Sequence, residues 1–296
     1  MLRNHLTVAV RSLRRNLGYT AINLVGLAVG MAACLLIGLY VGEELSYDDF
    51  HAAASRIHVL GVDNEHFGRG TATSYPLASA LETQGPLVER AVRTYEVTGA
   101  PVRTVGGGIE DERRLLLAGP AFFEVFDFPL VRGDAAAALR APDGVVITTS
   151  TARVLFGDDD PIGQTLTVDV EDSTHALTVR GVAETVPENS TIRFDLIAPT
   201  SLLPTEEREP GSWGRRMFRT YALLDRAAPP DTVAAQAERV ARTQARDRLQ
   251  DRTYFSVRLP ELYLSGEHSA EGFRGQWRYL YIFGAIALFI LLIAAI

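Results

Sequence analysis

Two long apolar segments near the ends of the chain enclose a central region in which apolar and polar residues alternate over short distances. The first segment, from Ala21 to Val41, contains no charged residue. At a rise of about 1.5 Å per residue, a helix of this length crosses the roughly 30 Å of hydrocarbon in a bilayer. We therefore predict a first transmembrane helix over residues 19–43.

The second apolar segment runs from Tyr279 to Ile296 and begins beside Trp277 and Tyr281. Aromatic rings favour the boundary between membrane and water. We predict that residues 276–296 start a second transmembrane helix and that the chain ends within it. On this interpretation the sequence is the first portion of a longer polypeptide.

A cleaved signal peptide is an alternative for the first segment, but the apolar core of a signal peptide spans only about 7–15 residues. Here the apolar run continues through Leu35, Leu36 and Tyr40. The residues from Met31 to Cys34 loosely resemble a lipoprotein processing site, yet the residues after Cys34 are apolar, where a mature lipoprotein becomes polar. The pattern favours a helix that is not cleaved.

Before the first apolar segment, apolar residues recur every three or four positions and arginines occupy the other positions. These arginines are Arg3, Arg11, Arg14 and Arg15. We predict a cytoplasmic amphipathic helix over residues 1–18, anchored to the lipid membrane surface by its arginines. The alternative is a cytoplasmic extension of the first transmembrane helix. Acidic residues follow that helix, so the positive-inside rule predicts a cytoplasmic N-terminus and an exported central region.

Small residues recur at every fourth position of the first apolar segment. They are Gly26, Gly30, Cys34, Gly38 and Gly42. Small residues at this spacing allow another helix to approach closely, so we predict that they form a helix-packing face. The alternative is the ordinary glycine richness of membrane helices.

The central region, residues 44–275, mixes the two periodicities of regular structure. Alternating residues predict strands, for example an antiparallel pair over Gln164–Val170 and Ala176–Glu184, and the stripe from Val233 to Leu249 predicts a helix that covers a sheet. The glycines at 106–108 predict a hairpin loop. We therefore predict an α+β fold, a mixed α/β periplasmic core domain of two subdomains inserted between two transmembrane helices.

The segment that enters this domain is predicted to start as a helix and to pass into a strand. Phe50, Ala54 and Ile57 share one helical face, which predicts a helix from Leu45 to Ile57. Such a helix is a candidate for a stiff connection between the membrane and the domain. A proline in place of Ala53 is expected to break it.

Composition excludes several classes of function. The formal net charge is −7, and the basic cluster is confined to the first fifteen residues, so no nucleic-acid partner is predicted. The single cysteine cannot form a disulfide within the chain. The sequence lacks the GxSxG, HExxH, Walker lysine and CxxC motifs, so we predict no catalytic or cofactor-binding residue. His51 and His58 lack a third ligand at metal spacing, so no metal site is predicted.

Several segments together carry a family resemblance. An arginine-rich start and a glycine-rich first apolar helix precede the segments ELSYDDFHAAASRIHVL, FFEVFDFPLVRGD, VVITTSTARVLFGDDDPIGQTL and VRGVAETVPENSTIRFDLIAP. The stretches from Tyr47 to Ile57 and from Leu155 to Gly163 are the most specific. In this order they resemble the MacB/FtsX-like ABC transporter permeases over nearly the whole chain, in particular the long permeases with two such halves.

The resemblance implies a permease of the bacterial inner membrane that pairs with a separate ATP-hydrolysing subunit. It further implies a second permease copy or second permease half as a partner, with a periplasmic adaptor protein as a further candidate. In this family the transmembrane helices are thought to relay ATP-driven motion to the periplasmic domain, for efflux or another export process. The cargo cannot be read from the sequence.

A sensor module of a membrane receptor is the alternative function, because two membrane helices around an exported domain are also typical of receptors. A permease continues into further membrane helices, whereas a receptor continues into a soluble signalling domain. A membrane-tethered hydrolase lacks a candidate pair of nucleophile and base in this sequence.

Overall fold

A computed structural model describes residues 5, 11, 15, 17–65, 68–104, 110–209, 211–226, 228–229, 232–245, 252–266 and 275–294. The chain divides into two compact units. A helical unit comprises Met1–Leu45 and Gly275–Ile296, and a domain unit comprises Ser46–Arg274.

The helical unit contains α1, Leu17–Glu44, and α8, Trp277–Ala294. Among the described residues, α1 is the one helix that is long and apolar enough to cross a membrane. Its leucines are largely exposed, as expected for a helix whose solvent is lipid rather than water. Of the amphipathic helix predicted over residues 1–18, the structure describes five residues, all helical and exposed: His5, Arg11, Arg15, Leu17 and Gly18. Arg3 and Arg14 lie outside the described residues.

The predicted helix from Leu45 to Ile57 is wrong. Helix α1 ends at Glu44, a series of turns follows, and a short 3-10 helix at Ala54–Arg56 leads into the first strand. The α-helix cannot continue because Asp48 adopts a left-handed backbone conformation with φ of 58°. The expectation that a proline at Ala53 would break a stiff helix therefore loses its basis.

The described part of the domain unit forms a twelve-stranded sheet with six α-helices around it. The strands are β1 Ile57–Asn64, β2 Gly68–Gly70, β3 Ala72–Thr73, β4 Val88–Thr104, β5 Glu110–Ala118, β6 Leu130–Gly133, β7 Gly144–Thr148, β8 Thr165–Val170, β9 Ser173–Ala183, β10 Leu196–Pro199, β11 Phe218–Leu224 and β12 Arg252–Arg258. The helices are α2 Leu77–Gln84, α3 Phe122–Val125, α4 Ala135–Arg140, α5 Thr149–Phe156, α6 Thr232–Ala245 and α7 Leu259–Ser265. Further 3-10 turns lie at Thr200–Leu202 and Thr205–Glu207.

The strands run in the order β12-β1-β11-β4-β5-β10-β7-β9-β6, and β8 joins β4 to β9. Pairing through β4, β5, β10, β7, β9 and β8 therefore returns to β4 and closes a six-stranded ring. The pairs β5–β10 and β7–β9 are parallel. The predicted antiparallel pairing of β8 with β9 is confirmed. Strands β4 and β5 pair as a hairpin, while the glycines at 106–108 lie outside the described residues.

The long strand β4 belongs both to the ring and to the open part of the sheet. Its first half pairs with β11, and its second half pairs with β5 and β8. The pairing with β5 shifts between Val97 and Ala100, where Gly99 has a φ of 70°. A bulge of this kind bends a strand and lets it turn from one layer into another. The predicted two subdomains are thus two parts of one continuous sheet.

Apolar residues from these two parts fill separate cores. The ring encloses alternate residues of its strands, including Leu115, Val168 and Val179. Helices α2 and α6 cover one face of the open part through Leu81 and Val240, among others. An aromatic core on the other face lies under the entry to the domain, and its members Phe122, Phe126, Phe128, Phe194 and Tyr221 are almost completely buried.

Candidate functional site

The first residues of the domain unit are held by a distant segment of the same unit. We call this arrangement the entry clasp, and define it as Ser46–His51 together with Asn189–Thr191. The backbone N–H of Asp48 donates to the carbonyl of Asn189 over 2.9 Å. The Asn189 amide donates to both the carbonyl and the hydroxyl of Ser46, each over 3.0 Å. Hydrogen bonds thus fix the chain where it enters the domain.

Asp48 is the centre of the entry clasp. Its carboxylate accepts hydrogen bonds from the Thr191 backbone N–H over 2.8 Å, from the Ser190 hydroxyl over 3.1 Å and from the Thr191 hydroxyl. Its exposed fraction is 0%. Aspartate is among the residues that best tolerate a positive φ, because its short polar side chain bonds locally. One residue therefore supplies both the turn and the anchor.

The carboxylate of Asp48 is buried as a single acidic group among neutral donors. Burial raises its pKa from 3.8 to about 6, although the hydrogen bonds from Thr191 and Ser190 and the attraction of Arg219 act in the opposite direction. Removal from water therefore outweighs the favourable contacts of the charged form. At neutral pH the clasp contains a buried negative charge.

His51 fastens the other end of the clasp to the aromatic core. Its Nδ1 accepts a hydrogen bond from the Asp127 backbone N–H over 3.0 Å, and the Asp127 carboxylate accepts one from the Ala52 N–H over 2.8 Å. Because Nδ1 is an acceptor, the neutral ring carries its proton on Nε2. The ring lies against Phe126 and Phe128, with centroids 5.3 and 5.0 Å away. Burial lowers the pKa of His51 from 6.5 to about 4.

The lowered pKa of His51 predicts that acid weakens the domain through this residue. The unfolded chain takes up the proton below pH 6.5 and the folded chain only near pH 4, so stability is lost as pH falls through this window. The free energy of unfolding is expected to fall by about 3 kcal/mol through this residue between pH 7.5 and 4. His51→Asn retains an acceptor for the Asp127 N–H but has no imidazole to take up a proton. It should therefore lose this pH-dependent part of the free energy of unfolding.

Denaturation followed by the fluorescence of buried Trp213, in a Trp277→Phe background, measures the effect. His175→Asn on strand β9 is the matched control, because it removes an imidazole outside the clasp and leaves the bond between His51 and the Asp127 N–H in place. Equal acid responses of His51→Asn and the parent would contradict the assignment.

A third contact joins the clasp to the last helix of the domain unit. The rings of Tyr47 and Tyr263 are stacked, with centroids 3.5 Å apart and an angle of 3° between their planes. Tyr263 belongs to α7, which ends at Ser265. The residues that enter the domain from α1 thus contact the residues that precede its exit toward α8.

Within the helical unit, α1 contacts α8 through Cys34 and Tyr40. Gly30 is the buried residue of α1, and the Cys34 thiol donates to the carbonyl of Ala287 over 3.4 Å. Further along, the rings of Tyr40 and Phe283 meet edge to face with centroids 5.3 Å apart. Of the predicted packing face, Cys34 thus contacts α8 and Gly30 is buried, while the role of the face in helix packing stays a prediction.

The other three members of the small-residue face, Gly26, Gly38 and Gly42, are exposed. A Cβ atom added at any of them would meet no atom of the described residues within 4 Å. A second membrane helix as their partner stays a prediction. Among the described residues, no group of three or more His, Cys, Asp or Glu side chains is placed to hold a metal ion.

Sequence reasoning missed the partner of Asp48. The segment Asn189–Thr191 reads locally as a turn after Pro187, and the distance of 143 residues to Asp48 hides the pairing. A signal was nevertheless present, because both segments belong to the stretches that carry the family resemblance.

Comparison with known protein families identifies one that matches most of the chain. The family model for the MacB-like periplasmic core domain matches residues 20–240. No curated protein sequence matches the chain.

The solved structures that are similar to the chain include a permease domain and a periplasmic region of MacB. A domain of a proposed permease protein from Porphyromonas gingivalis has a TM-score of 0.62 at 24% identity and covers 70% of this chain and 92% of its own. The periplasmic region of MacB from Actinobacillus actinomycetemcomitans has a TM-score of 0.51 at 16% identity and covers 74% of this chain and 95% of its own. At these identities the two structures support the fold.

Proposed function

The chain belongs to the MacB-like periplasmic core domain family, and from this premise we propose that it is the N-terminal portion of an ABC transporter permease subunit. In this proposal a partner subunit hydrolyses ATP, and the resulting movement of the transmembrane helices reaches the periplasmic domain and drives efflux or another export step. The chain itself carries no catalytic role. The match over residues 20–240, which begins inside α1, is the observation that carries the proposal.

The entry clasp supports the relay of motion. A relay needs a connection that does not yield when a helix moves as a rigid body. The clasp supplies this without a continuous helix, because Asp48 bonds to Thr191, His51 bonds to Asp127, and Tyr47 stacks on Tyr263. Displacement of the entry segment would therefore be distributed to three separate parts of the domain unit.

The proposed arrangement assigns each part of the chain to a compartment. Residues 1–18 lie on the cytoplasmic face of the bacterial inner membrane, and residues 19–43 cross that membrane. Residues 44–275 form the periplasmic domain, and residues 276–296 begin the return crossing. The proposed partners are an ABC ATPase subunit, a second permease copy or half, the lipid membrane and a periplasmic adaptor protein.

Affinity purification of the full-length protein from its native membrane tests the proposal. We expect an ATP-hydrolysing subunit to copurify after mild detergent extraction and to be identified by mass spectrometry. A tagged membrane protein of unrelated function, extracted in parallel, controls for adventitious capture. Recovery of a response regulator, or of kinase activity without an ATPase subunit, would replace the permease by the alternative sensor function.

A further inference from the structure

A polar cavity of about 190 Å³ lies beside the entry clasp in the domain unit. Strands β3, β4 and β11 and residues 191–193 form its walls. Its lining includes Thr94, Glu96, Leu116, Ile192, Met217 and Arg219. The cavity is smaller than the roughly 300–1,000 Å³ of drug-binding pockets, so it suits a small ligand.

Arg219 is one of the two arginines that line this cavity. It lies on strand β11 and is partly buried. Among the described residues it forms one hydrogen bond, a long one of 3.5 Å from Nη1 to the Tyr221 hydroxyl, and no ion pair. A guanidinium carries five N–H donors, so most of its hydrogen-bonding capacity is unused in the protein.

The nearby charged groups of the described residues do not accept hydrogen bonds from the Arg219 guanidinium. The oxygens of Asp48 already accept bonds from Thr191 and Ser190, and Arg219 attracts this carboxylate without bonding to it. Arg193, the other cation of the lining, donates to the carbonyls of Ser190 and Glu188. Glu96 also lines the cavity, but it is exposed to solvent and forms no ion pair with Arg219.

We propose that this cavity binds a small organic carboxylate, with Arg219 as its principal donor. The planar fork of a guanidinium matches the two oxygens of a carboxylate. Thr94 lines the same space, and Leu116, Ile192 and Met217 offer an apolar surface for a short carbon chain. That apolar surface favours an organic acid over an inorganic anion. The site does not depend on the permease function proposed above.

Binding of 3,3,3-trifluoropropionate to the full chain in nanodiscs, followed by ¹⁹F NMR line width, tests this proposal. Arg219→Met is expected to weaken binding about tenfold, because it removes the charged donor and keeps an apolar stem. Arg226→Met is the matched control, since Arg226 follows the same strand, is exposed and does not line the cavity. Equal binding by Arg219→Met and the parent overturns the proposal.

A second variant decides the matter if Arg219→Met does not fold. Glu96→Gln removes the negative charge of the lining at an exposed position and is expected to tighten binding about twofold. Unchanged or weaker binding by Glu96→Gln overturns the proposal, as does the absence of probe binding to the parent.

Competition then separates two sources of the carboxylate. Displacement of the probe by propionate but not by trialanine identifies a free small acid. Displacement by trialanine, but not by trialanine amide, identifies the carboxyl terminus of a peptide. Either result supports the site, whereas failure of both competitors overturns it.

Discussion

Asp48→Ala is expected to lower the free energy of unfolding by about 2–3 kcal/mol relative to Asp48→Asn at pH 7.5. Alanine leaves the buried Thr191 N–H without its acceptor, and an unsatisfied buried donor costs about 1–3 kcal/mol. Alanine also tolerates a φ of 58° less well than aspartate does. Both variants remove the buried charge of Asp48, so its relief cancels in this comparison.

Asp48→Asn is the informative partner of that variant. Asparagine retains an acceptor for Thr191 and Ser190 and tolerates the same backbone conformation, but it is neutral. Because burial raises the pKa of Asp48 from 3.8 to about 6, the charged form costs the folded state about 3 kcal/mol at neutral pH. We therefore expect Asp48→Asn to be about 1–2 kcal/mol more stable than the parent at pH 7.5. Asp49→Asn, at the exposed neighbour, should change little.

The pH dependence of stability tests whether the charge of Asp48 causes the stability advantage of Asp48→Asn. The folded-state pKa of Asp48 lies above its unfolded value, so its penalty is absent below pH 3.8 and is complete above about pH 6. The stability advantage of Asp48→Asn should therefore shrink as pH falls from 7.5 to 4.5. Denaturation followed by Trp213 fluorescence measures the difference at each pH. A difference that stays constant would show that the charge of Asp48 is not the cause.

The fold class follows from local patterns because burial on a sheet or against a helix imposes a period on neighbouring residues. The strands β8 and β9 and the helix α6 are predicted for this reason. The closure of the ring is not predictable in this way. It depends on β8 pairing with both β4 and β9, and pairing between distant strands leaves no local period.

The entry clasp shows why the predicted helix after α1 is wrong. The apolar spacing of Phe50, Ala54 and Ile57 suits a helix, and the local sequence contains nothing to contradict it. Contacts with residues far away in the chain decide the conformation instead, since Asp48 turns to meet Asn189 and Thr191. Side chains that bond to the backbone compete with helix formation. The prediction from local sequence is thus wrong at the entry clasp, which is the candidate functional site.

The small-residue face of α1 is a related case. Its spacing of four residues is regular, but its members have different neighbours in the structure. Residues four apart advance by 40° beyond a full turn, so a face that starts at Gly26 has rotated by the time it reaches Gly42. One straight partner helix cannot contact all of it. Cys34 contacts α8 and Gly30 is buried, whereas Gly26, Gly38 and Gly42 are exposed among the described residues.

Gly30→Leu is expected to separate α1 from α8, whereas Gly38→Leu should leave this pair intact. Gly30 is the buried residue of α1, so we expect a leucine there to overfill its surroundings, and overpacking costs about 1–3 kcal/mol. A side chain at Gly38 extends into open space. Oxidative cross-linking measures the contact, because Ala287→Cys places a second thiol beside Cys34, the one native cysteine. Gly30→Leu should reduce the cross-linked fraction about tenfold.

The two variants together also test the exposed part of the face. If Gly38 contacts a helix of a second permease copy or half, Gly38→Leu will lower assembly and transport while the cross-link to position 287 forms as in the parent. Normal assembly of Gly38→Leu would show that the spacing of four reflects only the glycine richness of membrane helices. Equal cross-linking of Gly30→Leu and the parent would show that close approach at Gly30 is not needed. A large side chain disrupts a close helix contact at the position where it is introduced. The effects of Gly30→Leu and Gly38→Leu therefore show which of these two positions of α1 contacts which partner helix.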